Sequence, residues 1–216
     1  MPPSPETPDP GAGPVAAVLL AAGAGSRFGG GKMTASLGGR PLVVHAMEAL
    51  RGARLDRLFV VVGEGDAQRI SELGEERGFE VVRNPDWTSG QSTSVLAGLD
   101  AAERAGCGAA VFSVGDQPLV GTKVYRRLVE ARERGASVAV ATYGGDGRPR
   151  NPALFGREVW EELRQDLAGD EGARSFVRRV LRERREGVRL VECGDVGEPL
   201  DVDTREELRG LQARFA

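Results

Sequence analysis

The chain has 216 residues, enough for one large α/β domain, and 40% of them are apolar against 28% charged, an ordinary balance for a globular protein. A net charge of −3 and a pI near 5.5 argue against a partner as polyanionic as nucleic acid, which calls for a basic excess. They leave room for a few phosphates on a small molecule, for which a local cluster of donors suffices.

Residues 1–14 hold six prolines and no apolar periodicity, the composition of a disordered tail; the folded domain is expected over 15–216. Val15–Ala22 is a continuous apolar run ending at Gly23, as in a strand buried on both faces. Pro41–Leu50 reads as a helix, with Val43, Met47 and Leu50 on one face. Strands follow at Leu58–Val62 and Phe79–Val82, then a helix at Gln91–Arg104 and a strand at Ala109–Val114 that stops at Gly115-Asp116. Beyond it come a helix (Thr122–Arg134), a strand (Ala136–Thr142), two helices (Phe155–Leu163 and Gly172–Arg185), a strand (Val188–Glu192) and a last helix (Thr204–Arg214). Gly144–Asn151 reads as a surface loop. The alternation implies a mainly parallel sheet covered on both sides, with ligands at the carboxyl ends of its strands. No apolar run reaches the ~18 residues of a membrane span, and no leader pattern opens the chain, so a cytoplasmic protein without membrane contact is expected. Cys107 and Cys193 have neither zinc spacing nor a disulfide framework and are expected to be reduced.

The loop after the first strand carries five glycines in ten residues, Gly23 to Lys32, with Arg27 and Lys32 as cations. Such a segment brings backbone N–H groups and positive charge to an anion, most naturally a phosphate chain. It is neither a dinucleotide fingerprint, because Phe28 stands where the third glycine belongs, nor a P-loop, because Ser26 and Met33 break both ends of that pattern. Asp116 is projected at the same sheet edge, where a carboxylate can hold a hard divalent cation; a lone Asp at a turn is otherwise a capping or turn residue. Asp201 and Asp203 precede the last helix, which Asp203 or Thr204 could simply cap. Asn84–Ser94 opens the Gln91 helix with small polar groups suited to a nucleobase or ribose, or to ordinary capping. His45, Trp87 and Trp160 read as packing residues, although Trp87 is near enough to the middle loop to touch a ligand.

The run LAAGAGSRFGGGK (Leu20–Lys32) resembles the L-A-A-G-x-[SG]-x-R-[MF]-G-x-x-K signature of MobA-like nucleotidyltransferases, and Leu37–Leu42 resembles the L-G-G-K/R-P-L step that follows it. Gly115-Asp116-Gln117-Pro118 resembles the family's G-D-x-P, and Leu200–Thr204 its D-I-D-T stretch, with Arg205 in place of proline. Trp87–Ser94 is similar to the W-x-x-G-M-S-x-S segment of the molybdenum cofactor cytidylyltransferase branch, with Gln91 replacing methionine. Asn151–Arg157 and Leu167–Arg174 are similar to that branch's H/N-P-V-L-F-x-R and L-x-G-D-x-G-A-R.

The resemblance implies a single Rossmann-like three-layer domain, like the nucleotide-diphospho-sugar transferases, with a mixed, mainly parallel sheet. It implies transfer of a nucleotidyl group from an NTP, CTP favoured, to a phosphorylated acceptor such as molybdopterin, with Mg²⁺ as cofactor and pyrophosphate released. A molybdoenzyme receiving the product is a further implied partner. By resemblance Arg27, Lys32 and Asp116 carry the catalysis. Leu20, Ala21, Ala22, Gly23, Gly25, Ser26, Gly90, Gln91, Ser92 and Ser94 join Arg27 and Lys32 in binding the nucleotide. Asn151, Pro152, Gly172 and Arg174 face the acceptor, and Asp116 with Asp203 or Asp201 holds the metal. A weak electrostatic argument points the same way for Arg174, since a cation near a helix start opposes the helix dipole and invites an anionic partner. The rival expectations are guanylyl transfer, sugar-phosphate nucleotidyl transfer, and a non-catalytic nucleotide-binding protein that delivers a cofactor.

Overall fold

The computed structural model describes residues 13–23 and 25–215; all but the end of the expected 1–14 tail lies outside them. Gly13 and Pro14 are placed, Pro14 accepting a hydrogen bond from the Gly108 amide. The elements in chain order are β1 (Val15–Leu20), a short hairpin of β2 (Ser36–Leu37) and β3 (Arg40–Pro41), α1 (Leu42–Ala53), β4 (Arg57–Val62), α2 (Ala67–Glu75) and β5 (Glu80–Arg83). They continue with α3 (Gln91–Arg104), β6 (Ala109–Val114), α4 (Thr122–Glu133), β7 (Val138–Thr142), β8 (Arg150–Gly156), α5 (Trp160–Asp166), α6 (Arg174–Arg182), β9 (Val188–Glu192) and α7 (Arg205–Leu211).

Seven strands form one sheet in the order β5-β4-β1-β6-β8-β7-β9, and only β8 runs against the rest. The chain steps outward from β1 through β4 to β5, then returns to place β6 on the other side of β1. The carboxyl ends of β1 and β6 therefore flank the switch point where a crevice opens. The apolar run of β1 is buried on both faces: Ala17 and Leu19 pack with α1, α2 and α4, whereas Ala16, Val18 and Leu20 pack with α3, α5 and α6. The result is the expected three-layer α/β domain. Among the described residues no helix is long and apolar enough to cross a membrane. Cys107 and Cys193 are buried free thiols, and burial pushes Cys193 up to about 11.

Three local expectations are corrected. Residues 150–156 form β8, so the helix expected from Phe155 begins only at Trp160, after a 3₁₀ turn, and Arg150 and Asn151 belong to a strand rather than a loop. A proline inside a central strand is tolerated because the β7–β8 register jumps there: Val140 faces Ala153 but Ala141 faces Arg150, so Asn151 and Pro152 fall in a bulge. Helix α2 has no counterpart among the expected elements, although Ala67, Ile70 and Leu73 bury one face of it. The helix expected over Gly172–Arg185 is shorter, ending at Arg182.

A third, small apolar cluster lies outside the two main layers. Phe28 of the Gly-rich loop, Leu37 of the hairpin, Leu42 of α1, Val202, and Leu208 and Leu211 of α7 are all buried together. Gln212 ties the end of α7 to the hairpin, accepting from the Gly38 amide at 3.0 Å and donating to the Ser36 carbonyl at 2.8 Å. His45 supports the same hairpin, its Nε2 lying 2.9 Å from the Leu37 carbonyl, and so has the structural role expected of it.

Candidate active site

The Gly-rich loop turns back on itself through a 3₁₀ turn at Ser26–Phe28, flanked by Gly25 (φ 57°) and Gly29 (φ 83°). Both lie in the left-handed region that side chains with a Cβ avoid, which explains glycine at these places. Phe28 points down into the third cluster and anchors the turn, while Lys32 is delivered to the edge of the crevice.

Lys32 is only 9% exposed, and its Nζ donates to Asp116 Oδ2 at 2.6 Å and to Asp203 Oδ1 at 3.2 Å. Burial works against the Lys32 ammonium, yet the two carboxylates outweigh it and hold its pKa above the ordinary 10.5. Arg27 reaches the other oxygen of Asp203, with its NH1 2.8 Å from Oδ2. Asp116 sits just past β6, where the Gly115 amide still bonds to the Leu20 carbonyl and the Asp116 carbonyl accepts from Val202 N at 3.0 Å. That backbone bond stitches the 199–203 segment to the end of β6.

The local chemistry at α7 separates the two aspartates that the sequence left open. Thr204 caps the helix, its Oγ1 accepting from Glu207 N, while the Glu207 carboxylate accepts from the amides of Asp203 and Thr204, a complete capping box. The carboxylate of Asp203 is thereby left for Lys32 and Arg27. Asp201 accepts instead from Gln117 Nε2 at 2.9 Å, and burial together with the nearby Asp116 charge raises its pKa.

The middle loop is built on Asn84, which is buried and donates to Thr93 Oγ1 and Ser94 Oγ, both at 2.9 Å. Gly90 precedes α3 with no side-chain cap; the Thr93 amide donates to the Gly90 carbonyl at 3.2 Å, and Gly90, Gln91 and Ser94 of this helix start line the cleft. Its φ of 112° and its closeness to Gly169, whose carbonyl carbon would be 2.4 Å from a Cβ built on Gly90, leave room for glycine alone.

Leu20, Ala22, Gly23, Gly25, Ser26, Lys32, Gly90, Gln91, Ser94 and Asp116 line one cleft of about 380 Å³, together with Trp87, Thr88 and Asp170. Arg27 and Asp203 are not on its wall; they pair with each other, and Asp203 reaches the cleft only through its contact with Lys32. Ala21 and Ser92 are not on its wall: Ala21 is buried in an extension of the β1–β4 pairing, and the Ser92 hydroxyl is buried with no partner. A second cavity of about 190 Å³ adjoins the first through Leu20, Gln91 and Val114. Asn151 and Arg174 line it, with Phe112, Val140, Phe155 and Val177 as apolar walls and Arg150 and Arg178 among its cations. Arg174 has no ion-pair partner among the described residues, whereas Arg178 pairs with Glu171. Pro152 and Gly172 are not on the wall of this cavity. Pro152 is buried in the β8 bulge, and Gly172 packs against the Gln91 side chain.

Asp170, Arg150, Arg178 and Gln117 were not singled out from the sequence. Arg178 stands four residues after Arg174 on one helix, a spacing that predicts a shared face, and Arg150 directly precedes Asn151 in β8; Asp170 and Gln117 are brought in by contacts distant in sequence, with Gly90 and Asp201.

Two carboxylates, Asp116 and Asp203, converge on one cationic point, and Asp116 Oδ1 is buried without a hydrogen-bond partner. No group of three or more metal-ligating side chains gathers among the described residues. A pair of carboxylates still suits Mg²⁺, which keeps several waters and takes its remaining ligands from substrate phosphates.

The model of the MobA-like NTP transferase domain matches residues 17–187. Nicotine blue oxidoreductase of Paenarthrobacter nicotinovorans is 34% identical over 203 residues, which cover 91% of this chain and 96% of that protein. Molybdenum cofactor guanylyltransferase of Cereibacter sphaeroides is 37% identical over 155 residues, 71% of this chain and 75% of the relative. Among solved structures, the homologue of Mycobacterium tuberculosis Rv0371c from Mycobacterium sp. strain JC1 superposes with a TM-score of 0.76 at 31% identity, covering 93% of this chain and 96% of that one. The manganese complex of Rv0371c from M. tuberculosis H37Rv superposes with a TM-score of 0.68 at 25% identity, over 93% and 98% of the two chains.

Proposed function

The chain belongs to the MobA-like NTP transferase family, and on that premise we propose that it transfers a nucleotidyl group from an NTP to the terminal phosphate of a small acceptor. The observation that carries this reading is that Lys32, the end of the Gly-rich loop, and Asp116 line one cleft together with Gly23, Gly25 and Ser26, and that Asp203 meets the same ammonium. In the reaction an acceptor phosphate oxygen attacks the α-phosphorus, the bond between α-phosphorus and the bridging oxygen breaks, and pyrophosphate leaves. The attacking group is already ionised at neutral pH, so no side-chain base or nucleophile is needed.

The protein's work is positioning and charge neutralisation. Loop amides and the uncapped first turn of α3 orient the nucleotide, Lys32 and Arg27 neutralise the triphosphate, and the apolar second cavity excludes water from the acceptor. Asp116 and Asp203 would hold Mg²⁺ or Mn²⁺, which neutralises charge on the phosphate oxygens when bound. Asn151 and Arg174 are assigned to the acceptor, and Gln91 and Ser94 to the nucleoside.

For the donor we favour CTP, on the similarity of Trp87–Ser94 to the cytidylyltransferase segment, and for the acceptor molybdopterin; the guanylyltransferase relative makes GTP the rival donor. Parallel incubations with CTP, GTP and UTP, with and without Mg²⁺ and acceptor, test the assignment through pyrophosphate release. Release that is fastest with GTP replaces the donor, and release with none of them ends the proposal.

A second reading, redox turnover of nicotine blue or a related compound, is favoured by the near full-length similarity to nicotine blue oxidoreductase and by the apolar walls of the second cavity. Protein-dependent reduction of nicotine blue by a supplied two-electron donor, with no pyrophosphate formed from any NTP, would select it.

A further inference from the structure

Lys32 faces two demands that one ammonium cannot meet together. It ends the loop that is to embrace a triphosphate, yet its ammonium is committed to a pair of carboxylates, Asp116 Oδ2 and Asp203 Oδ1. Those two carboxylates are the pair assigned to a divalent cation, and Lys32 lies between them. Arg27 occupies the remaining oxygen of Asp203. Two acids and two bases thus pair with one another, largely withdrawn from water at Lys32 and Asp116, and a third carboxylate, Asp201, lies close enough to repel Asp116 and Asp203.

We propose that Lys32 is the resident counter-ion of the metal site: without substrate it takes the cation's place between Asp116 and Asp203, and it is released to the triphosphate only when a divalent cation takes over those carboxylates. The inference rests on the nucleotidyl-transfer reading, which supplies the triphosphate and the metal. Its electrostatics run in one direction. Removing Lys32 alone would leave two carboxylates facing each other, which is unfavourable. Adding a divalent cation while Lys32 stays between Asp116 and Asp203 would set it against the ammonium, and bringing a polyanion alone would set it against the carboxylates. Entering together, the divalent cation takes over Asp116 and Asp203 and offsets part of the triphosphate charge, while Lys32 and Arg27 move to the phosphates. Metal and nucleotide therefore promote each other's binding, a coupling that is reciprocal by necessity. The unpartnered Asp116 Oδ1 marks acceptor capacity that the ammonium leaves unused.

The test uses Mn²⁺ alone as probe on the full chain, followed by titration calorimetry and by thermal melting. Lys32→Met should bind one Mn²⁺ on the order of tenfold more tightly than wild type, and Mn²⁺ should raise its melting temperature more than that of wild type. Lys32→Arg, which keeps a cation in place, should show neither gain, and adding Asp116→Asn to Lys32→Met should remove both. Equal Mn²⁺ affinity in wild type and Lys32→Met overturns the proposal. Should Lys32→Met not fold, the ¹⁵N resonance of the Lys32 ammonium in wild type serves instead. It should move when Mg²⁺ and a non-hydrolysable NTP analogue are added together, and an unmoved resonance at saturation overturns the proposal. Pyrophosphate release by wild type is scored separately. Release with equal Mn²⁺ affinities leaves nucleotidyl transfer standing and removes only the exchange, while tighter Mn²⁺ binding by Lys32→Met with no release from any NTP does the reverse.

Discussion

Replacing Asp116 by Asn changes one oxygen to an amide and leaves the shape of the site intact, so its effects report charge. Asp116 is 17% exposed, and its partner Lys32 is 9% exposed at 2.6 Å. Removing one partner of a buried ion pair costs about 3–5 kcal/mol when the other charge is stranded. Here Lys32 keeps Asp203 at 3.2 Å, and the new amide oxygen still accepts a hydrogen bond, so the expected loss is that of one charge-assisted bond, about 1.5–3 kcal/mol. In a domain of this size that lowers the melting temperature by roughly 3–12 °C. The pKa of Lys32 is raised on folding, so the pair's contribution is fully present below the unfolded value near 10.5 and fades as pH rises through the higher folded value. The stability difference between wild type and Asp116→Asn should accordingly be constant at neutral pH and shrink under strong alkali. The turnover loss should be larger than the stability loss implies, on the order of 10²–10³ in kcat, as for removal of one well-placed electrostatic group. Pyrophosphate release at saturating NTP and Mg²⁺, measured well below the variant's melting temperature, separates the two effects. A wild-type rate in Asp116→Asn would refute the metal-holding role, and an unchanged melting temperature would refute the energetic weight given to the Lys32 contact.

The remaining expectations probe the site's surroundings. Asp203→Asn should slow pyrophosphate release by at least about tenfold more than Asp201→Asn, because only Asp203 contacts Lys32 and Arg27; equal effects would reassign the pair. Ser113→Ala strands the fully buried Tyr125 hydroxyl, 2.8 Å from Ser113 Oγ, and should cost about 1–3 kcal/mol in chemical denaturation. Glu192 accepts from the amides of Gly144, Gly145 and Gly194 and from Thr142 Oγ1, and its pKa is lowered chiefly by the Gly194 amide and the Thr142 hydroxyl. Its contribution is therefore present above the ordinary carboxylate value of 4.5 and is lost as pH falls through the depressed folded value. Hydrogen exchange at Gly144 and Gly145 should accelerate in that acid range in wild type and be fast throughout in Glu192→Gln.

Much of the layered fold was legible because its signals are local. The unbroken apolar run from Ala16 to Leu20 fits a strand with both faces covered, and Val95, Leu99 and Ala102 fall on one face of α3, all buried. The failures have local causes too. Pro152 argues against a central strand, and the rule is satisfied only through a bulge that the sequence does not announce. Helix α2 carries a readable Ala67-Ile70-Leu73 spacing, but the Gly63–Asp66 approach to it resembles any loop at the sheet edge. In the site, the loop motif pointed to Lys32, but nothing in it could indicate that the lysine would be held by carboxylates rather than free.

What the sequence could not express is the dependence of the loop on the far end of the chain. Phe28 and Val202 are distant in sequence, yet they share a buried cluster closed by Leu208 and Leu211 of α7, with Arg205 4.8 Å above the Phe28 ring. That cluster fixes two things at once: the turn that delivers Arg27 and Lys32, and the segment that presents Asp203. The Thr204–Glu207 capping box adds the last constraint, because a helix capped by Asp203 would have turned that carboxylate onto its own amides and away from Lys32. A capping residue one position later is thus what frees Asp203 to join Asp116 in holding the Lys32 ammonium, and the apolar contact beneath it keeps that carboxylate in register with the loop.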